Sequence, residues 1–176
     1  FALPGSPFNL IAALLRQGAK RLTCIGNTTG GAHRPRNPDI GMLVEAGQVA
    51  KVICSFTASP RASDTLPFTA FYERGEVEAE IVPQGTLAER LRAAGAGIPA
   101  FYTPTAVGTE LAEGRETRII NGREVLLEYA LPADVALLRK ALYAPAGDGS
   151  LLVTRREAEL LFTLNEATAT GTNDPE

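Results

Sequence analysis

The sequence predicts an α/β fold, a mostly parallel sheet flanked by helices and followed by a β-hairpin section. Three observations carry this. Between residues 22 and 56 an apolar run, a polar loop, a helical stretch and a second apolar run succeed one another, the β-loop-α-β order of a parallel sheet. A third strand pattern at Val77 to Val82 leads into another helix. Finally, Asn121-Gly122 separates two apolar runs, and this dipeptide supplies the two positive φ angles of a tight hairpin turn.

Each element has a local reason. Ser6-Pro7 predicts a helix start, with the serine as cap and Pro7 at the first helical position. Leu10, Ile11, Leu14 and Leu15 recur at helical spacing, and Gly18 stops the run. Leu22 to Ile25 has strand composition, and the polar loop Gly26-Asn27-Thr28-Thr29-Gly30-Gly31 follows it. Asp39 is placed to cap a helix carrying Ile40, Leu43 and Val44, closed by Gly47. Lys51 to Phe56 reads as the next strand, and Thr57 to Pro67 as loop. Phe68 to Arg74 predicts a helix ending at Gly75. From Val77 the chain alternates Val77, Ala79 and Ile81 with glutamates, a half-buried strand. Thr86 to Glu89 matches the capping-box pattern and opens a helix with Leu87, Leu91 and Ala94 as its apolar stripe, ended by Gly95. Arg118 to Ile120 and Val125 to Leu127 flank the hairpin turn; Asp134 to Leu138 is a fresh strand. Asp148-Gly149 marks a turn before a strand at Leu151 to Val153. One domain over residues 1–164 and a disordered polar tail over 165–176 complete the expected organisation.

Composition excludes several function classes. With 17 Lys+Arg against 20 Asp+Glu the net charge is −3, and no basic cluster exists to steer a nucleic acid. No apolar stretch approaches the roughly 20 residues that span a bilayer. The two cysteines, Cys24 and Cys54, lie in apolar strands and read as small core hydrophobes rather than a disulfide scaffold. The single histidine, His33, reads as an exposed loop residue, so no metal-ligand spacing and no histidine-dependent catalytic triad is available. Neither G-x-G-x-x-G nor a Walker motif occurs. The chain begins at Phe1 with no Met, from which we expect that an upstream segment has been removed.

Two polar loops remain as candidates. Each follows a strand, and open α/β sheets place ligands at strand C-termini. In the first, Asn27 leads Thr28, Thr29 and two glycines, Gly30 and Gly31, that let backbone approach a substrate closely. In the second, Gln84 and Gly85 stand at a helix N-terminus. A side-chain amide beside such a terminus can stabilise a carbonyl oxygen as it becomes negative. The plainer reading makes Asn27 and Gln84 turn and cap residues that satisfy local backbone.

The stretch PQGTLAERLRAAGAGIPAFYTPT at residues 83–105 closely resembles the signature of family I CoA-transferases, in their α subunit (the A-type subunit of 3-oxoacid CoA-transferases). GEVEAE at 75–80, VGT at 107–109, NGRE at 121–124 and ADVAL at 133–137 extend the match, and LPGSPFNLI at 3–11 looks like the loop and helix that open this fold. The resemblance covers roughly residues 1–155 and implies a CoA-transferase-like α/β fold. The departures are specific. Two glycines that the family carries before the position of Phe1 are absent, its Asn-Asn-Ala-Gly loop is Asn27-Thr28-Thr29-Gly30, and its Gly-Glu-Asn run is replaced by Thr57 to Pro67.

The resemblance implies ping-pong transfer of CoA between an acyl-CoA such as succinyl-CoA and a small 3-oxo acid. A glutamate attacks the thioester, forming an acyl-glutamyl anhydride and then a glutamyl-CoA thioester. In the family this glutamate belongs to the β subunit, in an E-x-G-x-x-G setting. No such motif occurs here, since Glu110 to Gly114 does not match it, so the partner β subunit is expected to supply the nucleophile. Gln84 matches the position whose amide faces the reacting carbonyl, and Asn27, Thr28, Gly30 and Gly85 the substrate-binding positions. Arg90 and Arg92 are candidate cations for a substrate carboxylate; on a helix their plainer role is solvated or structural. No metal and no tightly bound cofactor is expected, the CoA thioester being a substrate, and the location expected is the cytoplasm. Two other classes compete. One is a non-catalytic scaffold of the same fold that shapes a partner's acyl-CoA pocket. The other is a sugar-phosphate isomerase, which rests on fold analogy alone.

Overall fold

The computed structural model describes residues 6–31, 37–58, 65–145 and 151–163, and from residue 138 onward the backbone alone. The expectations for His33, the turn at Asp148-Gly149 and the tail 165–176 lie outside the described residues, as does the middle of the loop from Thr57 to Pro67.

Three parallel strands form the first sheet, in the order β1–β2–β3: β1 Leu22–Ile25, β2 Val49–Cys54 and β3 Glu78–Ile81. Four helices connect or flank them: α1 Phe8–Gln17, α2 Ile40–Glu45, α3 Pro67–Glu73 and α4 Gln84–Gly95. Period-2 alternation along the strands divides them between the two faces of the sheet. One face carries Cys24, Val52, Cys54 and Ala79 and packs with Ile11 of α1, Leu43 and Val44 of α2 and Phe68 of α3. The other carries Ile25 and Ile53 and packs with Val82 and with Leu87 of α4. Such two-sided cover is what a parallel sheet needs, and it explains the nearly continuous apolar run of β2.

A second, antiparallel sheet has the order β4–β6–β5 (β4 Ala100–Thr103, β5 Thr117–Ile120, β6 Arg123–Tyr129). The expected hairpin is β5–β6, with Asn121 at φ 50° and Gly122 at φ 74° in its turn. The third strand, β4, has no partner within its own sequence neighbourhood, and local pattern alone does not assign it. A single turn of 3-10 helix, Glu110–Ala112, lies between β4 and β5. The strands expected at Asp134 and Leu151 are the beginnings of two longer ones, β7 Val135–Pro145 and β8 Leu151–Thr163, paired antiparallel.

Several element boundaries need correction. Helix α1 starts at Phe8, with Pro7 as its cap and no capping side chain; Ser6 acts through its carbonyl, which accepts the Phe8 N–H at 3.1 Å. Strand β2 begins at Val49 because that residue pairs with Leu22. It ends at Cys54 because the Ser55 and Phe56 N–H groups turn to the Asn27 carbonyl. The capping box at Thr86 does not form. Pro83, with φ already at −52°, stands at the cap, and its carbonyl accepts the Leu87 N–H at 2.8 Å, closing the first turn upstream. Thr86 is instead buried within that turn, and Glu89 pairs with Arg92. The alternation of β3 holds in direction, but Ile81 reaches the open end of the sheet and is exposed. Asp39 and Gly18 act as expected, Asp39 accepting the Met42 N–H at 3.0 Å and Gly18 closing α1 at φ 76°. Among the described residues no helix is long and apolar enough to cross a membrane.

Candidate functional site

The C-terminal ends of the three parallel strands converge through backbone hydrogen bonds. Leaving β1, the Gly26 N–H donates to the Ile53 carbonyl at 3.1 Å, and the Asn27 carbonyl then accepts from Ser55 (3.2 Å) and Phe56 (3.0 Å). Thr28 forms a parallel bridge with Phe56. Beyond β3, the Val82 N–H donates to the Cys54 carbonyl at 2.9 Å, which sets Pro83 and the start of α4 against the same edge.

This topology brings together two side chains that are 57 positions apart. The Gln84 Nε2 donates to the Asn27 Oδ1 at 2.7 Å. A primary amide has two donor hydrogens and one acceptor oxygen, so this bond leaves Gln84 with a second Nε2–H and Asn27 with its Nδ2–H donors. Gln84 is exposed and Asn27 half-buried, so the pair faces outward from the sheet edge. Helix α4 has no capping side chain, and the N–H groups of its first turn are left with the positive end of the helix dipole. Gly85 is exposed, and a Cβ built on it would meet nothing within 4 Å. The arrangement therefore offers donors on an open approach, suited to an oxygen that gains negative charge.

The other loop residues have different jobs. Gly30, at φ 121°, lies where a Cβ would come within 2.7 Å of the Gly41 nitrogen. Its missing side chain is thus explained by the approach of helix α2. Thr28 Oγ1 accepts a long contact from the Gly30 N–H at 3.4 Å, a turn-like bond within the loop. Asp39 reaches from the cap of α2 to accept the Gly31 N–H at 2.8 Å and so fastens loop to helix. Two hydroxyls that sequence reasoning missed are buried in the same region without a hydrogen-bond partner among the described residues: Thr29 Oγ1 and Ser55 Oγ. Ser55 was discoverable, because it follows the last residue of a strand whose C-terminal end borders the loop.

Burial disfavours the thiolate at both cysteines. Burial pushes Cys24 up to about 11; it also raises Cys54, against a smaller lowering by the Phe56 backbone hydrogen bond. Both cysteines are free and line the apolar core. Of the candidate cations, Arg92 forms an exposed pair with Glu89 at 2.7 Å. Arg90 is nearly buried and bonded to Glu80 and to the Tyr129 carbonyl, so its guanidinium is already engaged within the chain.

Comparison with known proteins places this geometry in a family. The profile described as Coenzyme A transferase matches residues 1–147. The chain is 50% identical over 164 residues to the A-type subunit of 3-oxoadipate CoA-transferase of Pseudomonas putida, covering 92% of this chain and 65% of that protein. It is 44% identical over 158 residues to the A-type subunit of succinyl-CoA:3-ketoacid coenzyme A transferase of Xanthomonas campestris pv. campestris (strain B100), covering 90% and 60% respectively. The chain thus spans about two-thirds or less of the length of these relatives. A solved structure of a variant of the decarboxylase AibA/AibB is similar in fold, with a TM-score of 0.58 and 25% identity over 74% of this chain and 50% of that one. From the extent of the profile match and the identity to these relatives, which are themselves A-type subunits, the chain belongs to the coenzyme A transferase family.

Proposed function

We propose that this chain forms the α-subunit half of a CoA-transferase that moves CoA between an acyl-CoA, such as succinyl-CoA, and a small 3-oxo acid. A partner β subunit supplies the nucleophilic glutamate. The observation that carries the reading is the Gln84–Asn27 amide pair beside the uncapped start of α4. The two A-type relatives, named for 3-oxoadipate and for 3-ketoacid transfer, support the substrate class. Among the described residues the two thiols are free, which suits a reducing compartment, and we place the complex in the cytoplasm.

The chemistry proceeds in balanced steps. The partner's glutamate carboxylate attacks the thioester carbonyl carbon; the C–S bond breaks, CoA leaves as thiolate, and an acyl-glutamyl anhydride remains. The thiolate attacks the glutamyl carbonyl, giving the glutamyl-CoA thioester and releasing the donor acid. The acceptor carboxylate repeats the sequence in reverse, leaving with CoA and regenerating the glutamate. Each step passes through a tetrahedral oxyanion. In this reading the remaining Gln84 Nε2–H donates to that oxygen, Asn27 holds the Gln84 amide in the donating orientation, and the first turn of α4 adds its dipole. Thr28, Gly30 and Gly85 form the surrounding substrate wall.

With a decarboxylase among the proteins of similar fold, the fold alone does not choose the reaction. The test is direct. With the β subunit present, Gln84→Ala is expected to lower turnover at least tenfold, toward the roughly 10²–10³-fold seen when an oxyanion donor is lost, while assembly is unchanged. Unchanged turnover overturns the assignment. A complex that assembles but transfers no CoA supports the scaffold alternative.

A further inference from the structure

Helix α4 begins without a capping side chain. Its cap residue, Pro83, contributes no side-chain hydrogen bond, Gln84 is exposed, and Gly85 has no side chain to pack. Beyond the Val82–Cys54 bond and the contact with Asn27, where the Gln84 amide stands depends on what holds the following turns. Two residues of α4 stand out there. Leu87, fully buried, packs with Ile53 and Val82; it sets the depth of the helix but, being apolar, gives it no directional bond. Arg90 supplies the directional contacts.

The Arg90 guanidinium joins three elements. Its Nη1 donates to Glu80 Oε1 of β3 at 2.8 Å, and its Nε donates to the Tyr129 carbonyl of β6 at 2.9 Å, with Glu128 Oε2 3.9 Å away. The backbone carbonyl of the same residue accepts the Leu131 N–H at 3.0 Å. The carboxylates are themselves held. Glu80 Oε2 takes Lys51 Nζ of β2 at 2.6 Å, and Glu128, only 1% exposed, lies 2.6 Å from Arg115 Nη2. That last contact is ionic in distance without the alignment of a hydrogen bond. Lys51, Glu80, Arg90, Glu128 and Arg115 thus alternate in sign from the parallel sheet, through α4, to the antiparallel sheet. The Arg90 side chain is 13% exposed, against 58% for Arg92, whose surface pair with Glu89 is of the kind that contributes little. The planar fork of an arginine bonds in fixed directions, so it constrains the orientation of the helix as well as its distance from the sheets.

We infer that Arg90 is a positioning residue for the reaction: by clamping the second turn of α4 to β3 and β6, it sets where the Gln84 amide stands. This rests on the reading of Gln84 given above. A shift of about 1 Å in a group that must meet a developing oxyanion costs on the order of 10²-fold in rate, whereas substrate binding made elsewhere is little changed. Loss of the clamp therefore acts on kcat and acts through Gln84.

The experiment is a double-mutant cycle in the assembled two-subunit enzyme, with Arg90→Gln, Gln84→Ala and the double variant. The expected result is a fall in kcat of about tenfold or more for Arg90→Gln, with KM changed less than about threefold. In the Gln84→Ala background the same substitution is expected to cost less than about threefold, because the group it positions is gone. Arg90→Lys, which keeps the charge and can keep one bond, is expected to recover part of kcat. Equal losses in both backgrounds mean a structural role and overturn the inference, as does an unchanged kcat for Arg90→Gln. Should Arg90→Gln not assemble, Glu80→Gln is run through the same cycle and is expected to show the same non-additivity with a smaller loss; additivity overturns the inference. If Gln84→Ala itself leaves turnover unchanged, the failure belongs to the reading of Gln84.

Discussion

The two three-stranded sheets are held in different ways. Around the parallel sheet, helices α1, α2 and α3 bury Leu43, Val44, Val52 and Phe68 on one face, and α4 buries Leu87 on the other. The antiparallel sheet contributes no residue from 99–130 to either apolar cluster, although Val125 and Leu126 are buried. All four residues of β5 are exposed, among them Ile119 and Ile120. Where α4 meets the antiparallel sheet, the Leu131 N–H donates to the Arg90 carbonyl and the alternating ion series runs through Arg90, beside the apolar contact of Leu131 with Ile53, Val82 and Leu87. Apolar burial scales with area and is indifferent to direction, so it suits the half that only has to be solid. The seam, on which the aim of α4 depends, adds directional bonds to its apolar contact.

The widest gap between the halves is expected in truncations of apolar side chains. Phe68→Ala, at a side chain 2% exposed, should cost about 3–5 kcal/mol. Ile119→Ala, at a side chain 70% exposed, should stay within about 0.5 kcal/mol. Urea midpoints of the two variants check this, and comparable losses would break the contrast. A smaller effect is expected at a polar residue inside the apolar half. Gln48 is buried, and its Nε2 donates to the Leu14 and Ala19 carbonyls at 3.1 Å each, fastening the end of α1. Gln48→Ala removes the amide from the Ala19 carbonyl and leaves the Leu14 carbonyl with the Gly18 N–H alone, and should cost about 1–3 kcal/mol; a change near zero would show that water replaces the amide there.

The smallest expected effect lies at the seam and is one of pH. Burial raises the Glu80 carboxyl, but the hydrogen bonds and charges of Lys51 and Arg90 outweigh it and hold the group below its ordinary value. A carboxyl lowered in the folded state contributes stability that is present above the unfolded value, about 4.3. That contribution is lost as pH falls through the lower folded value. Glu80→Gln should therefore flatten the acid limb of a stability–pH curve and leave the shape near neutrality unchanged. An acid limb as steep as that of the parent protein would mean that the seam carries no net electrostatic stabilisation.

How far the sequence could be read followed the range of the interactions. The Gly18 stop of α1, strand β1, the Asp39 cap and the Asn121-Gly122 turn are specified by residues a few positions apart, and the structure has them where local pattern puts them. Strand β4 pairs with β6 more than twenty residues on, so nothing adjacent marks it. The same limit applies to side chains. The glutamates of β3 read as a solvated face, yet Glu80 lies half-buried between Lys51 and Arg90, because α4 covers the side that alternation assigns to water. Gln48 and Glu128 have no local signal at all, since a buried polar residue is defined by partners that the fold delivers. For the candidate site, the position at the strand ends was legible and the Gln84–Asn27 bond was not: it needs the two strand ends side by side, which only sheet order provides. The first turn of α4 starts three residues earlier than expected because Thr86-x-x-Glu89 fits a capping pattern that Pro83 pre-empts.

Asp39 has a wider consequence than capping a short helix. Its two carboxylate oxygens serve different stretches of chain, Oδ2 accepting from Gly31 and Oδ1 from Met42. Residues at the end of the Asn27 loop are thus immobilised by the same contact that starts α2. The conformational entropy of that part of the loop is lost when the protein folds, and little of it remains to be lost when a ligand arrives. Rigidity acquired in advance raises affinity for a ligand that fits and narrows the range of ligands that can. Loosening this one carboxylate should therefore broaden what the loop accepts before it changes how fast the chemistry runs.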